Sequence, residues 1–213
     1  MEPCQPPRRK TGPKPVFTLD QAVDAAIAQG IDRFTLTGVA KILGVAAPSL
    51  YRVVDSRDDL LMHCFRRATE ELDLPDPTSS WQNQLREYTD AIWRMCRAYP
   101  GIAQSLLTFP GSHFAIQDYL DDLTRGLVHG GFPGGDDDMH FIVDMLGDNV
   151  LVASMVTQSL RDGDGFELAR QRLGSVRSED RQHFPIREDL WDYNWLQRKT
   201  EFAIRGLELQ LGN

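Results

Sequence analysis

The 213-residue sequence has few of the features that mark membrane or secreted proteins. No run approaches the roughly 18 apolar residues that a membrane-spanning helix needs. The amino terminus is basic, but no apolar stretch follows it, so it is unlike a secretory signal. The 3 cysteines are too widely spaced for a disulfide framework or a paired metal-binding motif. These absences predict a soluble cytoplasmic protein with no membrane partner.

The sequence also lacks the short motifs of common enzyme classes. It contains no Gly-x-Ser-x-Gly elbow, no phosphate-binding Gly-x-x-x-x-Gly-Lys loop and no His-Glu-x-x-His zinc motif. His140 and Asp144 share a helix face, but no third metal ligand accompanies them. The aspartates at 136–138 suit the positive end of a helix dipole. We therefore predict no catalytic residues, no metal site and no cofactor.

Net positive charge is absent as well, because the chain carries a formal charge of -8. Taken alone, this value argues against a nucleic-acid partner, since phosphate binding requires a positive surface. The charge is unevenly distributed, however. Residues 1–57 hold eight Lys or Arg against five Asp or Glu, and the remainder is strongly acidic. A basic amino-terminal region on an acidic body indicates two separate functions.

Apolar spacing predicts helices throughout the chain, and no segment alternates like a half-buried strand. Thr18 has capping-box spacing for a first helix at about 18–29, which Gly30 would end in the left-handed conformation. Thr35 can cap a second, short helix, and Gly44 supplies its exit. A third short helix follows at about 47–53, and Ser56 begins a longer connector helix. The predicted fold class is all-α.

The rest of the chain repeats this pattern with longer helices that end at Pro or Gly. We predict a long helix at about 139–160, a mostly irregular connection at 162–187 and a final helix at about 188–211. The final helix carries an apolar stripe with a small residue that permits close helix approach. A single chain would leave such stripes partly uncovered. The stripe consists of Leu196, Phe202, Ala203, Gly206 and Leu209.

The two short helices and the glycine turn at about 35–54 are typical of a helix-turn-helix, whose second helix enters the DNA major groove. Small residues at its start allow close approach to base edges, and Arg52 can pair with guanine or a phosphate. Polar and basic residues around it are candidates for phosphate contacts. The predicted DNA-contacting residues are Thr35, Thr37, Lys41, Ala46, Ala47, Pro48, Ser49, Tyr51, Arg52 and Arg57, together with Arg8, Arg9, Lys10 and Lys14 of a Pro-rich basic arm.

A family resemblance rests on two runs, TLTGVAKILGVAAPSLY at 35–51 and SRDDLL at 56–61. Over residues 18–65, the chain closely resembles the DNA-binding domain of TetR-type transcriptional regulators. Three positions depart from the family pattern: Ala46 cannot cap the recognition helix, Val53 cannot donate to a phosphate, and Arg57 replaces the usual lysine. Gly38 inside the second helix costs about 1 kcal/mol relative to alanine.

The resemblance implies a division of the chain into a flexible basic arm at 1–17, a helix-turn-helix domain at 18–65, and an effector-binding and dimerisation domain at 66–213. It implies a homodimer in which the long helix and the final helix pair with their copies, and a short, weak match at the carboxyl end suggests the tetracycline-repressor-like branch. It further implies a repressor that a small molecule releases from a palindromic double-stranded operator.

A small-molecule effector would bind between helices of the acidic domain, in a largely apolar pocket with a few polar groups. The candidate lining residues are Trp93, Phe109, His113, Phe114, Tyr119, Phe141 and Asn149. The same residue types occur in ordinary cores. Because Ala46 and Val53 weaken the DNA-contacting surface, the sequence leaves open an alternative: a ligand-binding or interaction protein of the same fold with weakened DNA recognition.

Overall fold

The computed structural model describes residues 17–161, 164–175 and 192–212, and every regular element in these ranges is a helix. This confirms the predicted all-α class. The elements are α1 (Leu19–Gln29), α2 (Leu36–Leu43), a 3₁₀ helix (Ala47–Arg52), α3 (Arg57–Glu70), α4 (Trp81–Ala98), α5 (Ile102–Thr108), α6 (His113–His129), α7 (Asp136–Arg161), α8 (Gly165–Ser175) and α9 (Tyr193–Leu211).

The first helices begin where side chains cap their free N–H groups. Thr18 and Gln21 form the predicted capping box, because each side chain accepts from the other residue's backbone N–H. Thr35 accepts from the Gly38 N–H at 3.0 Å, and Ser56 accepts from the Asp59 N–H at 3.0 Å. These bonds span three residues, so the sequence could predict them. Gly30 has a positive φ of 99°, but its ψ of 125° is not the left-handed helical conformation that we predicted.

The amino-terminal unit, which we call the head, consists of α1, α2 and the 3₁₀ helix packed on the first part of α3. Its core is apolar and closed to solvent, as the helical spacing of the sequence predicts. α3 continues beyond this core and contacts α6, so it connects the head to the remaining helices, α4–α9, which we call the body. The fully buried side chains of the head and α3 include Ile31, Phe34, Leu50, Leu60 and Phe65.

The body is built around α7, which packs against α4, α5, α8 and α9. Three aspartates occupy its first turn, where carboxylates stabilise the positive end of the helix dipole. By length and composition alone α7 could cross a membrane. It nevertheless buries Ile142, Leu146 and Val150 against its neighbours, so here it is a core helix.

The prediction of an irregular connection at 162–187 is wrong for the part that the structure describes. α8 occupies Gly165–Ser175, and the Leu168 N–H donates to the Asp164 carbonyl at 2.8 Å in its first turn. The glycines and aspartates before it mask a segment of good helix formers, Glu-Leu-Ala-Arg-Gln-Arg-Leu. α9 begins at Tyr193, with Asp192 as its N-cap. Residues 176–191, which include the predicted start at 188, lie outside the described residues.

Candidate nucleic-acid interface

Gly38 in α2 lies against a side chain of α1. A Cβ at Gly38 would lie 2.1 Å from the Gln29 Oε1 atom at the end of α1. The glycine therefore leaves room for the end of the Gln29 side chain beside α2. Val39 and Ala40, which follow it, are buried in the head.

The turn after α2 has the geometry that a helix-turn-helix requires. Gly44 adopts the left-handed conformation at φ 68° and ψ 28°. Its N–H donates to the Lys41 carbonyl at 3.3 Å, and the Val45 N–H donates to the Ala40 carbonyl at 3.0 Å. The second bond spans the six-residue loop of a Schellman motif. The chain therefore leaves α2 in a defined direction before the next helix begins.

The third helix is a 3₁₀ helix, which we call the recognition segment (Ala47–Arg52). Ala46 provides no side-chain cap, and Pro48 in the first turn has no N–H to donate. A segment of six residues with an uncapped start has little to favour the α-helical over the 3₁₀ arrangement. Leu50 is fully buried and fixes the segment to the head, while Tyr51 is 60% exposed.

The predicted DNA-contacting residues of the head differ in exposure, and most of them reach solvent. Thr35 also serves the fold, because its Oγ1 caps α2. Ala47, Ser49 and Arg57 are half-buried, and the exposed members are Thr35, Thr37, Lys41, Ala46, Pro48, Tyr51 and Arg52. The arm residues Arg8, Arg9, Lys10 and Lys14 lie outside the described residues. Every one of these DNA contacts stays a prediction.

Arg57 has a structural use that the sequence did not indicate. Its Nε donates to the Phe34 carbonyl at 3.1 Å and its Nη2 to the Asp32 carbonyl at 3.3 Å. The guanidinium also lies 4.6 Å from the centroid of the Phe34 ring. Since these contacts join the start of α3 to the turn between α1 and α2, a phosphate contact by Arg57 would be additional to them. The partners are 23 and 25 residues away, so no local spacing signals them.

The predicted effector residues lie in several environments rather than around one cavity. Trp93 is buried, with its ring centroid 5.9 Å from that of Tyr193, and Phe109 packs on Phe65 at 6.0 Å. Tyr119 is buried and lies 6.3 Å from Tyr88. The structure therefore places these residues in separate environments, and their contact with an effector stays a prediction. Helical spacing located the residues on their helices but not the helices relative to one another. The remaining members are His113 and Phe114, both exposed at the start of α6, and Phe141 and Asn149 on α7.

Phe141 and Asn149 belong to a groove of about 550 Å³ between α7 and α9, which we call the α7/α9 groove. Phe141 is 61% exposed and Phe202 is 82% exposed. Nothing lies within 4 Å of a Cβ at Gly206, so the middle of α9 is open to close approach. Leu196, which we predicted to be part of the same stripe, is buried and faces the body. The groove also contains Ile142, Met145, Trp195, Arg198, Lys199, Ala203, Leu207 and Gln210.

The body also buries polar groups that the sequence did not single out. Tyr88 is buried, and its hydroxyl donates to the Val143 carbonyl at 3.3 Å. A Cβ at Gly147 would lie 2.7 Å from the Tyr88 hydroxyl oxygen. Burial raises the pKa of Tyr88. Asp148 is exposed on α7, and partial desolvation of its carboxylate, followed by the charge of Asp144, raises its pKa, while His113 opposes this shift. A tyrosine spaced with core residues gives no sequence signal that its hydroxyl reaches another helix.

The sequence is similar to a known repressor over part of its length. The HTH-type transcriptional repressor DrrR1 of Streptomyces coeruleorubidus is 32% identical to the chain over 105 residues. The matched stretch makes up 46% of this chain and only 38% of that repressor, so it covers well under two thirds of the relative. No protein-family model matches the chain.

Solved structures match the chain over most of its length. The ActR protein of Streptomyces coelicolor without ligand superimposes with a TM-score of 0.66 at 23% identity, covering 92% of this chain and 99% of that one. ActR in complex with actinorhodin gives 0.68 at 23% identity, with the same coverage. A putative transcriptional regulator from Streptomyces coelicolor A3(2) gives 0.57 at 16% identity, covering 91% and 98%. The chain therefore has the fold of the TetR-family protein ActR, which confirms the TetR-type resemblance of residues 18–65.

Proposed function

We propose that the chain is a DNA-binding transcriptional repressor that works in the cytoplasm as a homodimer and leaves a palindromic operator when a small molecule binds its body. The observation that carries the proposal is the head itself. A left-handed glycine at 44 directs a short segment whose Leu50 is buried and whose Tyr51 and Arg52 are exposed. This arrangement offers one edge of the segment to a major groove while the other edge holds it in place.

The similarity to the DrrR1 repressor supports the DNA-binding part of this proposal, and the charge distribution agrees with it. The basic residues of the head and the arm would meet phosphates, whereas the acidic body would be repelled from the duplex. Contact would then be limited to the head and the arm at residues 1–17.

The α7/α9 groove supports the dimer. Its exposed apolar side chains, Phe141 and Phe202, lie beside the open surface at Gly206. An apolar surface of this kind is covered in most soluble proteins, and a second copy of the chain would cover it by a two-fold, self-complementary contact. Two-fold symmetry would place the two recognition segments about 34 Å apart, which is one turn of DNA. Under this proposal Phe141 and Asn149 serve the dimer rather than the effector.

The effector would bind in the body. ActR, which has the same fold, forms a complex with a small molecule, actinorhodin. We place the effector near the buried, stacked rings of Tyr88 and Tyr119, which lie on α4 and α6. Binding there would move α3, which links α6 of the body to the head. The two recognition segments would then no longer match the operator spacing.

A salt-titrated binding assay tests the DNA-binding function. The purified chain is titrated against labelled DNA from upstream of its own operon and against a scrambled duplex of the same length and composition. We expect the upstream DNA to bind at least about a thousandfold more tightly, with affinity falling as salt rises. Equal affinity for the two duplexes would refute the proposal.

Arg52→Ala separates the proposal from its alternative. Loss of a base-contacting arginine should weaken operator binding about tenfold or more without changing dimerisation. Arg97→Ala is the matched control, because Arg97 is an exposed arginine on α4 of the body and the charge change is the same. Equal operator affinity of the two variants, together with an intact dimer, would favour a ligand-binding protein of this fold with weakened DNA recognition.

A further inference from the structure

The turn between α1 and α2 contacts the body directly, independently of α3. The Ile31 N–H donates to the Pro100 carbonyl at 3.0 Å, and Pro100 lies in the turn between α4 and α5. Ile31 is fully buried. This backbone bond joins residues 69 positions apart, so it fixes one point of the head to one point of the body.

A glycine makes this contact possible. Gly101 has a φ of 85°, and a Cβ there would lie 2.0 Å from the Asp32 Oδ1 atom. It would also lie 2.8 Å from the backbone nitrogen of Asp32, so rotating the aspartate side chain would not remove the clash. The two turns are therefore in backbone contact, and any side chain at 101 would separate them.

The turn between α1 and α2 is also hydrogen-bonded to the start of α3. The carbonyls of Asp32 and Phe34 accept from the Arg57 guanidinium. The turn after α4 is also hydrogen-bonded to the connector. The hydroxyl of Tyr99, which precedes Pro100, donates to Glu71 Oε2 at 2.5 Å, just past the end of α3. The turn after α1 is thus bonded to the start of α3, and the turn after α4 is bonded to the residue that follows the end of α3.

We propose that Gly101 and Asp32 are positioning residues for operator binding: their backbone contact sets the orientation of the head on the body, and through it the spacing between the two recognition segments of a dimer. The inference rests on the proposed function. A head held only by α3 could rotate about that helix, and a dimer with such heads would accept half-sites at several separations. A head held at a second point accepts one separation.

The test compares Gly101→Ala with Gly131→Ala. Gly131 has nearly the same φ, 82°, but nothing lies within 4 Å of a Cβ there. Both variants therefore place an alanine at a positive φ, and they differ in whether the new methyl meets the head. Footprinting of the wild-type protein first gives the spacing between the two half-sites of the operator. Each protein is then titrated against a duplex with this spacing and against one whose half-sites are two base pairs further apart. The ratio of the two affinities is its spacing selectivity. Amide hydrogen exchange at Ile31 reports the contact without DNA.

We expect Gly101→Ala to speed exchange at Ile31 by about fivefold or more and to reduce the spacing selectivity by a similar factor, the effect of one lost hydrogen bond. Gly131→Ala should change neither. If Gly101→Ala does not fold, Tyr99→Phe removes the hydroxyl bond to Glu71 and should shift both readouts in the same direction. Tyr193→Phe is its control, because it removes a hydroxyl–carboxylate bond to Asp90 within the body.

Equal behaviour of the two alanine variants would overturn the inference, as would faster exchange at Ile31 with unchanged spacing selectivity. Failure of the proposed function is distinguishable, because the wild-type chain would then prefer no upstream DNA. The exchange measurement would still decide whether Gly101 holds the head on the body.

Discussion

Replacing Phe202 by serine should dissociate the dimer that we propose. Phe202 lies in the α7/α9 groove and is 82% exposed in the single chain. Full burial of a phenylalanine side chain contributes about 1.5–3 kcal/mol, so covering this one contributes about 2 kcal/mol. Two-fold symmetry counts the residue twice, which gives about 4 kcal/mol for the dimer. The dimer Kd should therefore rise about a thousandfold.

The matched control is Phe114→Ser. Phe114 is 85% exposed, as much as Phe202, but it lies at the start of α6 and does not line the groove. Because neither ring is buried in the single chain, each substitution should leave the stability of the monomer within about 0.5 kcal/mol. Sedimentation velocity over a wide concentration range gives the dimer Kd, and urea unfolding gives the monomer stability. An equal effect of the two substitutions on the dimer Kd, or no effect of Phe202→Ser, would refute the placement of the interface in this groove.

Two further predictions concern the head and the body. Leu50→Ala should lower the free energy of unfolding by about 2–5 kcal/mol, because Leu50 is fully buried. Tyr51→Ala, at the next and exposed position, should change that free energy by no more than about 0.5 kcal/mol and should weaken operator binding. Urea unfolding and DNA titration of both variants check this, and a reversed order of stabilities contradicts it. Arg86 holds the pKa of Glu201 below its usual value. Their ion pair therefore stabilises the fold fully at a pH above the usual pKa of glutamate, and this stabilisation is lost as the pH falls through the lowered pKa. Arg86→Met should cost about 0.2–1 kcal/mol at pH 7. In urea unfolding at a series of pH values, the difference from wild type should shrink as pH falls below the usual glutamate pKa of 4.5 and vanish below the lowered pKa of Glu201. A difference that persists below that lowered pKa would contradict the ion pair as its cause.

The local parts of the head were predictable from the sequence because their causes are local. The caps at Thr18, Thr35 and Ser56 act across three residues, and the turn at Gly44 is closed by carbonyls three and five residues away. A short, capped helix with one apolar face and a left-handed glycine at its end both depend on residues that are close together in the sequence, so the sequence predicts them.

The sites of the body were less predictable because they depend on how helices pack. Residues such as Trp93, Tyr119 and Phe141 are all aromatic and all helical, yet two are buried in the core and one faces the α7/α9 groove. Helical spacing states which residues share a face of one helix, and it does not state which neighbour that face meets. The mistaken assignment of residues 165–175 as irregular had a different, local cause, because the Gly and Asp residues before α8 outweighed its helix formers in our interpretation.

The sequence by itself determined the all-α class, the caps of the head and the resemblance that led to a TetR-type fold, because each depends on residues a few positions apart. Only the tertiary structure showed that Arg57 donates to the carbonyls of the turn after α1, and that Gly101 allows this turn to contact the body. These roles depend on contacts between distant segments. Excluded volume and buried backbone hydrogen bonds fix such contacts when the helices pack, and no periodicity in the chain records them.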